Sequence, residues 1–347
     1  MDRDRFTPTD HTNVKFCGSH RRSIPPTTVY AAASESGLLK SADGGKNWKV
    51  INTGASVDSV SVDPSDSAVI YTSSHDGEIL RSADSGKSWR RASSGLQQTY
   101  SIALAINPNN PETLYAGTFE GRVFKSGNRG ETWTTLNAPT VSQINILVTD
   151  PVHPHTLYAG TGGGIFKSSD RGTNWRVANS GITNSNICVI AVAPSKSATL
   201  YVGSCGGGIA KSPDGGKSWT SVNAGLAADD FWSLAVDPFD ASKVYAGTFK
   251  GVFKSLNGGA TWFNANHGLP EVAICSLFID RANPTVIYAT ASSDGKAFKS
   301  LSARIGVLGD IIRQLDGNLH GFRIAPATAA DAAVHLGMLP RKLRNTE

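Results

Sequence analysis

Short apolar runs alternate with turns rich in glycine and serine along most of the chain, and this pattern returns about every 43 residues. Each unit after the first starts with a nearly continuous apolar run, such as Ile102 to Ile106, and that run ends near an Asp-Pro pair or a related pair such as Asn107-Pro108. A second run surrounds a tyrosine, and a third resembles GIFKS at 164–168. Runs of this length between turn residues predict β-strands, and the fixed period predicts a repeat fold.

The turn after the third run has a recurring motif, Ser-x-Asp/Asn-x-Gly-x-x-Trp. The Asp or Asn side chain accepts bonds from nearby backbone N–H groups, the glycine accepts positive φ, and the tryptophan anchors the turn. The motif therefore predicts a hairpin leading to a fourth strand. Its six copies run from Ser41 to Trp48, Ser82 to Trp89, Ser126 to Trp133, Ser168 to Trp175, Ser212 to Trp219 and Ser255 to Trp262.

Seven units carry the tyrosine, which predicts an all-β, seven-bladed β-propeller of four-stranded antiparallel blades. The tyrosines are Tyr30, Tyr71, Tyr115, Tyr158, Tyr201, Tyr245 and Tyr288. Residues 13–18 are expected to form the first inner strand, and 304–308 a substitute outer strand, because no Asp, Gly or Trp follows Ser300 in register. We therefore expect an N-terminal arm at 1–12, the propeller at 13–308 and an irregular or partly helical, alanine-rich tail at 309–347.

The distribution of charge argues against nucleic-acid binding. The net charge is +5, but one Lys or Arg recurs before the turn in every unit. The basic residues therefore belong to the repeat and form no stripe that could bind nucleic acid.

The four cysteines have no metal-ligand spacing, and we expect buried apolar thiols, with no metal and no cofactor. They are Cys17, Cys188, Cys205 and Cys275. The first 16 residues are polar and no apolar stretch reaches 18, so neither a secretion signal nor a membrane span is visible. Taken literally, the sequence predicts a cytoplasmic protein, but a wrongly assigned start would change this, and the compartment is left open.

These motifs resemble the Asp-box (BNR) repeats of sialidase-like propellers over residues 28–300. Xyloglucan-cleaving glycosidases, which are often secreted, are similar in the run LYAGT…GIFKS…DGG…W. The resemblance implies a propeller with Asp-box hairpins on its lower rim. It also implies ligand binding on the opposite face, which carries the starts of the inner strands and the turns between the second and third strands.

Residues that break the repeat on that face are the candidate site. Tyr100 is the one tyrosine outside the repeated position, and Trp232 the one tryptophan outside the Asp-box motif. Aromatic rings beside amides, acids and cations suit a protein or carbohydrate ligand. The candidate ligand-binding residues are Tyr100, Phe119, Arg122, Asp230, Trp232 and Phe249. A non-catalytic binding platform is the main hypothesis.

The alternative is an enzyme. Sialidases hold a carboxylate with three arginines, and the six later inner strands of this chain contain no arginine, which disfavours that activity. A glycosidase related to the xyloglucan-cleaving group needs two carboxylates across a cleft. Asp58, Asp76 and Asp230 are the candidate acids, without an assigned acid or base role.

Overall fold

A computed structural model describes residues 14–17, 28–33, 37–51, 53, 57–74, 76–96, 101–138, 142–226, 231–266, 269, 273–291 and 297–300. Within these ranges the regular structure consists of 27 strands, without a helix. No helix there is long and apolar enough to cross a membrane.

The strands follow the repeat predicted from the sequence. The inner strands are β1 (Val14–Cys17), β5 (Ser59–Val62), β9 (Ser101–Ile106), β13 (Ile144–Thr149), β17 (Ile187–Val192), β21 (Phe231–Val236) and β25 (Ile274–Ile279). The second strands are β2 (Val29–Ala33), β6 (Ile70–Ser73), β10 (Leu114–Thr118), β14 (Leu157–Thr161), β18 (Leu200–Ser204), β22 (Val244–Thr248) and β26 (Ile287–Ala291). The third strands are β3 (Gly37–Ser41), β7 (Ile79–Ser82), β11 (Val123–Ser126), β15 (Gly164–Ser168), β19 (Gly208–Ser212), β23 (Gly251–Ser255) and β27 (Ala297–Ser300). The outer strands are β4 (Lys49–Ile51), β8 (Arg90–Arg91), β12 (Thr134–Leu136), β16 (Arg176–Val177), β20 (Thr220–Ser221) and β24 (Phe263–Asn264).

These strands form antiparallel sheets in which each strand pairs with the next along the chain. Blades 1 to 6 are β1–β4, β5–β8, β9–β12, β13–β16, β17–β20 and β21–β24, and β25–β27 form a three-stranded sheet. Neighbouring inner strands are in contact in chain order, and β25 also contacts β1. The sheets therefore close into a propeller ring.

The prediction of seven four-stranded blades is wrong, because the described residues form six four-stranded blades and one sheet of three strands, β25–β27. The sequence after Ser300 explains the difference. It lacks the Asp, Gly and Trp that turn the chain into the outer strand of the other units. The expected substitute strand at 304–308 and the partly helical tail at 309–347 lie outside the described residues, as does the arm at 1–12.

The repeated turn after each third strand is held by side chain to backbone hydrogen bonds. In blade 5 the Ser212 hydroxyl accepts a bond from the Gly216 N–H (2.8 Å) and donates to Asp214 Oδ1 (2.8 Å). Asp214 also accepts bonds from two further backbone N–H groups, those of Lys217 and Ser218. The motif thus satisfies donors that the turn would otherwise leave without partners.

In several blades the repeated lysine or tyrosine bonds to the following blade. Lys167 donates to the Gly215 carbonyl (2.7 Å), and Lys211 donates to the Gly258 carbonyl (2.9 Å). Lys167 Nζ also lies 5.1 Å from the centre of the Tyr158 ring, a cation–π distance. The recurring basic residue therefore has a structural role between blades.

The motif tryptophan makes the reverse connection. Trp219 of blade 5 is buried and donates from Nε1 to the Ala178 carbonyl of blade 4 (2.7 Å). The backbone of Gly181 approaches the Trp219 carbonyl so closely, and with φ of 92°, that a side chain there would collide with it. Blades 4 and 5 are consequently connected in both directions at their lower ends.

The prediction that all four cysteines are buried apolar thiols is also wrong. Cys188 and Cys205 form a disulfide, with Cα atoms 6.0 Å apart. Their 17-residue separation matches no metal or redox motif, so only the pairing of β17 with β18 brings them together. Cys275 is buried, as expected.

Candidate functional site

Strand pairing defines one end of every blade, which we call the upper face. Ile144 at the start of β13 pairs with Thr161 at the end of β14, and Phe231 pairs with Thr248 in the same way. The turn between the second and third strands therefore lies beside the start of the inner strand. The repeated Ser-x-Asp/Asn turns lie at the other end, the lower face, because Leu157 pairs with both Thr149 and Ser168.

Each inner strand from β9 onward has an irregular register at its second residue. In β21, Phe231 pairs with Thr248 and Ser233 with Gly247, so the register shifts at Trp232, which is an extra residue in this strand. A β-bulge of this kind redirects a side chain and is common beside binding sites. The bulge residues are Ile102, Asn145, Cys188, Trp232 and Cys275. A bulge position thus carries a different residue type in most of these strands.

In blade 6 the bulge residue contacts the neighbouring turn. The ring centres of Trp232 and Phe249 are 4.2 Å apart, in an edge-to-face arrangement. Phe249 directly follows β22 and exposes 46% of its surface, whereas Phe231 beside Trp232 is fully buried. Two of the residues predicted from the sequence therefore meet on the upper face, and the bulge keeps Trp232 out of the core.

Blades 5 and 4 use the same position differently. In blade 5 the bulge residue Cys188 is bonded to Cys205, which follows β18 as Phe249 follows β22. In blade 4 the Asn145 side chain instead donates to the Ile187 carbonyl of blade 5 (2.9 Å) and accepts from Gln143 (2.6 Å). One geometric position therefore holds an aromatic pair, a disulfide and an amide network in three successive blades.

Blades 3 and 2 supply the other described candidates. Phe119 and Arg122 lie in the turn between β10 and β11, and both side chains are exposed. The Thr118 hydroxyl accepts the Arg122 backbone N–H (3.2 Å), which fixes this turn. Asp58 precedes β5 and is half-buried, and Asp76 is exposed in the turn between β6 and β7. The two acids therefore share the upper end of blade 2.

The turns of blades 3 to 6 form a series across the upper face. The outer two contain a phenylalanine and a cation, as Phe119 with Arg122 and Phe249 with Lys250. The inner two contain the glycine runs 162–164 and 206–208, with Gly162, Gly163 and Gly206 exposed. Glycine has no side chain to cover its backbone, so peptide groups are accessible between the two aromatic turns.

Three asparagines that the sequence analysis missed hold these turns in place. Asn179, Asn223 and Asn266 follow the outer strands of blades 4, 5 and 6. Each side-chain oxygen accepts a backbone N–H near the start of the third strand, at distances of 2.6 to 2.7 Å. An Asn-x-Gly spacing recurs at all three places and is the signal that identifies them.

The repeated acids of the lower face are engaged in turn structure. Hydrogen bonds, chiefly from the Asn47 backbone N–H, lower the pKa of Asp43 to about 2, and bonds from Ser88 hold the pKa of Asp84 well below its usual range. A general acid at neutral pH needs a raised pKa instead. Nowhere in the described chain do three His, Cys, Asp or Glu side chains gather as a metal site would require.

Tyr100 and Asp230, which precede β9 and β21 in the sequence, lie outside the described residues. The described candidates fall into three groups: Asp58 with Asp76 in blade 2, Phe119 with Arg122 in blade 3, and Trp232 with Phe249 in blade 6. All three groups occupy the upper face.

Comparison with solved structures identifies two kinds of similar propeller. A GH74 enzyme from Niastella koreensis superposes with a TM-score of 0.70 and 20% identity, over 86% of this chain and 53% of that one. A GH74 xyloglucanase from Xanthomonas campestris gives 0.66 and 17%, over 85% and 52%. YCF48 bound to D1 peptide gives 0.67 and 17%, over 84% of this chain and 94% of that one.

These similarities establish the propeller fold. The chain spans about half the length of the two GH74 enzymes but nearly the whole length of YCF48. No protein-family model and no curated protein matches the sequence.

Proposed function

We propose that this chain is a non-catalytic binding protein of the Asp-box group, and that its upper face takes a segment of a protein or a carbohydrate. One observation carries the proposal: the bulge positions of the upper face differ from blade to blade, while the lower turns repeat the same hydrogen bonds. A fold needs the repeated residues for its own stability. The residues that vary at one end of the ring are not required by the repeat, so they can be specific for a ligand.

The chemistry of the upper face supports an extended ligand. Phe119 and Phe249 expose 49% and 46% of their surfaces at the two ends of the blade 3 to blade 6 series. Exposed aromatic rings are frequent anchors of binding surfaces. The exposed backbone of Gly162, Gly163 and Gly206 lies between them, and its N–H and C=O groups can pair with the alternating donors and acceptors of a polypeptide. We therefore place a polypeptide before a carbohydrate.

The similar structures agree with this order. YCF48, which is matched along 94% of its length, has been solved with a bound peptide, whereas the GH74 enzymes are about twice as long as the region they share with this chain. The proposed binding residues are Tyr100, Phe119, Arg122, Asp230, Trp232 and Phe249.

Selection from a random peptide library against the immobilised chain, followed by calorimetry on the recovered peptides, tests the proposal. We expect Phe249→Ala to weaken binding at least about tenfold, equivalent to roughly 1.4 kcal/mol. Phe239→Ala is the matched control, because Phe239 is 72% exposed but follows the Asp-Pro pair at the lower end of β21. Equal effects of the two changes, or no recovered peptide, would contradict a polypeptide site on the upper face.

A glycosidase is the second candidate, and the shared position of Asp58 and Asp76 at the upper end of blade 2 favours testing it. Inverting hydrolysis needs two carboxyl groups roughly 6.5–9.5 Å apart. Xyloglucan incubated with the chain should remain intact under the binding proposal. Hydrolysis that disappears in Asp58→Asn, Asp76→Asn or Asp230→Asn would instead make the chain an enzyme.

A further inference from the structure

The disulfide between Cys188 and Cys205 has an unusual place in the repeat. Cys188 is the bulge residue of β17, and Cys205 begins the glycine turn after β18. The regular pairing continues on both sides of the bulge, with Ile187 opposite Ser204 and Val189 opposite Gly203. The bond therefore joins two strands that the backbone ladder already holds together.

Other blades show that this position needs no covalent link. The equivalent residues of blade 6, Trp232 and Phe249, make a ring contact, and Asn145 of blade 4 makes hydrogen bonds. Both blades keep the same bulge and the same strand pairing as blade 5. Loss of the Cys188–Cys205 bond is consequently compatible with an intact ring.

The bond is also open to attack. Cys188 and Cys205 are both partly exposed, and the adjoining Gly206 is exposed and has no side chain that could shield the sulfur atoms. Exposed disulfides are generally the exchangeable ones. Cys275 occupies the equivalent bulge in β25 but is buried, with 7% of its surface exposed, so the chain contains its own unreactive reference thiol.

We propose that Cys188–Cys205 is an exchangeable disulfide that opens and closes in the folded protein. A dithiol reductant supplies a thiolate that attacks one sulfur, so that the Cys188–Cys205 bond breaks and a mixed disulfide forms. The second thiolate of the reductant then displaces the protein sulfur. Two electrons and two protons are transferred, the protein leaves with two thiols, and the reductant leaves as a disulfide.

Opening the bond changes the turn at 205–208 more than the rest of blade 5. The turn keeps three hydrogen bonds. The Ser204 hydroxyl donates to the Gly208 carbonyl (3.2 Å), the Asn184 amide donates to the Cys205 carbonyl (3.1 Å), and the Cys205 backbone N–H donates to the Asn186 carbonyl (3.0 Å). Its glycines provide little further restraint. The reduced turn therefore has more freedom on the upper face, between the turns of blades 4 and 6.

The test treats the folded full chain with dithiothreitol, alkylates the thiols and measures each cysteine by peptide mass analysis. Cys188 and Cys205 should gain label at least about tenfold over the untreated chain, while tryptophan fluorescence stays native and Cys275 stays unlabelled until denaturant is added. A Cys188→Ser, Cys205→Ser chain should fold to the same ring. Labelling of Cys188 and Cys205 only in denaturant, or labelling without reductant, would overturn the proposal.

A second measurement rests on the proposed function. The selected peptide should bind the reduced chain and the double serine variant with the same affinity, and both should differ from the oxidised chain. Equal affinity in all three would contradict an effect of the turn at 205–208 on ligand binding. Absence of peptide binding in every form would contradict the proposed function, while the labelling result would still decide whether the disulfide exchanges.

Discussion

The lower end of each blade repeats the same turn motif, whereas the residues at the upper end differ between blades. At the lower end, blades 4 and 5 use the same serine to aspartate bond, Ser168 to Asp170 and Ser212 to Asp214, each at 2.8 Å. At the upper end, the same two blades place an asparagine and a disulfide at one geometric position. Repetition therefore marks the contacts that hold the ring together, and departure from repetition marks the surface that we propose binds a ligand.

Two tryptophans give the largest contrast between these ends. Trp219 is buried, contacts the neighbouring blade and donates to Ala178, so Trp219→Ala should lower the free energy of unfolding by roughly 3–5 kcal/mol. Trp232 lies half-buried against Phe249, and Trp232→Ala should cost less than about 1.5 kcal/mol while weakening ligand binding. Chemical denaturation of both variants measures this. A ring that unfolds in Trp232→Ala would make that residue part of the core and remove it from the site.

The hydrogen bonds of the lower turn should have a smaller effect. Ser212 is fully buried, and Ser212→Ala leaves the Gly216 N–H without its acceptor, which should cost about 1–3 kcal/mol. Ser185 is an exposed serine on the upper side of the same blade, so Ser185→Ala should change stability by less than about 0.5 kcal/mol. Equal losses in thermal denaturation would mean that the turn bonds do not stabilise the ring.

The tyrosines predict how the ring responds to alkali. Burial raises the pKa of Tyr201 and Tyr245 to about 12 from 10.0. Burial favours the neutral phenol in the folded state. Its contribution to the free energy of unfolding is therefore complete below pH 10 and is lost as pH rises from 10 through about 12. Thermal denaturation across that range should show a falling Tm.

Single tyrosine variants test whether the buried hydroxyls cause this alkaline loss of stability. The Tyr245 hydroxyl has no hydrogen-bond partner among the described residues, so Tyr245→Phe should leave stability at pH 7 nearly unchanged and reduce the alkaline loss. Tyr201 donates to the Ala241 carbonyl (3.0 Å), and Tyr201→Phe should cost about 1 kcal/mol at pH 7. A Tyr245→Phe chain with an unchanged alkaline profile would contradict the role given to the buried hydroxyls.

Much of the fold could be predicted from the sequence, because the turn motif and the tyrosine strands are local signals. The inner strand at Val14–Cys17 lies within the segment 13–18 chosen for it. The error in the number of four-stranded blades arose where the local signal stops, after Ser300. The disulfide could not be predicted, because Cys188 and Cys205 meet only through strand pairing and their spacing has no motif.

The candidate site was accessible to sequence reasoning only in part. Alignment of the repeats placed Trp232 and Cys188 at one equivalent position, and the structure shows that this position is a bulge. A bulge adds one residue without changing the apolar composition of the strand, so the pattern alone does not reveal it. The contact between Trp232 and Phe249 depends on that bulge, and it required the structure.

Two glycine substitutions test directly whether the upper face binds the ligand. Neither Gly162 on the upper face nor Gly127 in a lower turn has positive φ, and a Cβ added at either meets no atom within 4 Å. Gly162→Trp and Gly127→Trp should therefore both fold, and the affinity for the selected peptide should be measured in each. We expect that only Gly162→Trp weakens binding, at least about tenfold, which corresponds to about 1.4 kcal/mol. Unchanged binding in Gly162→Trp, or loss in Gly127→Trp, would contradict it.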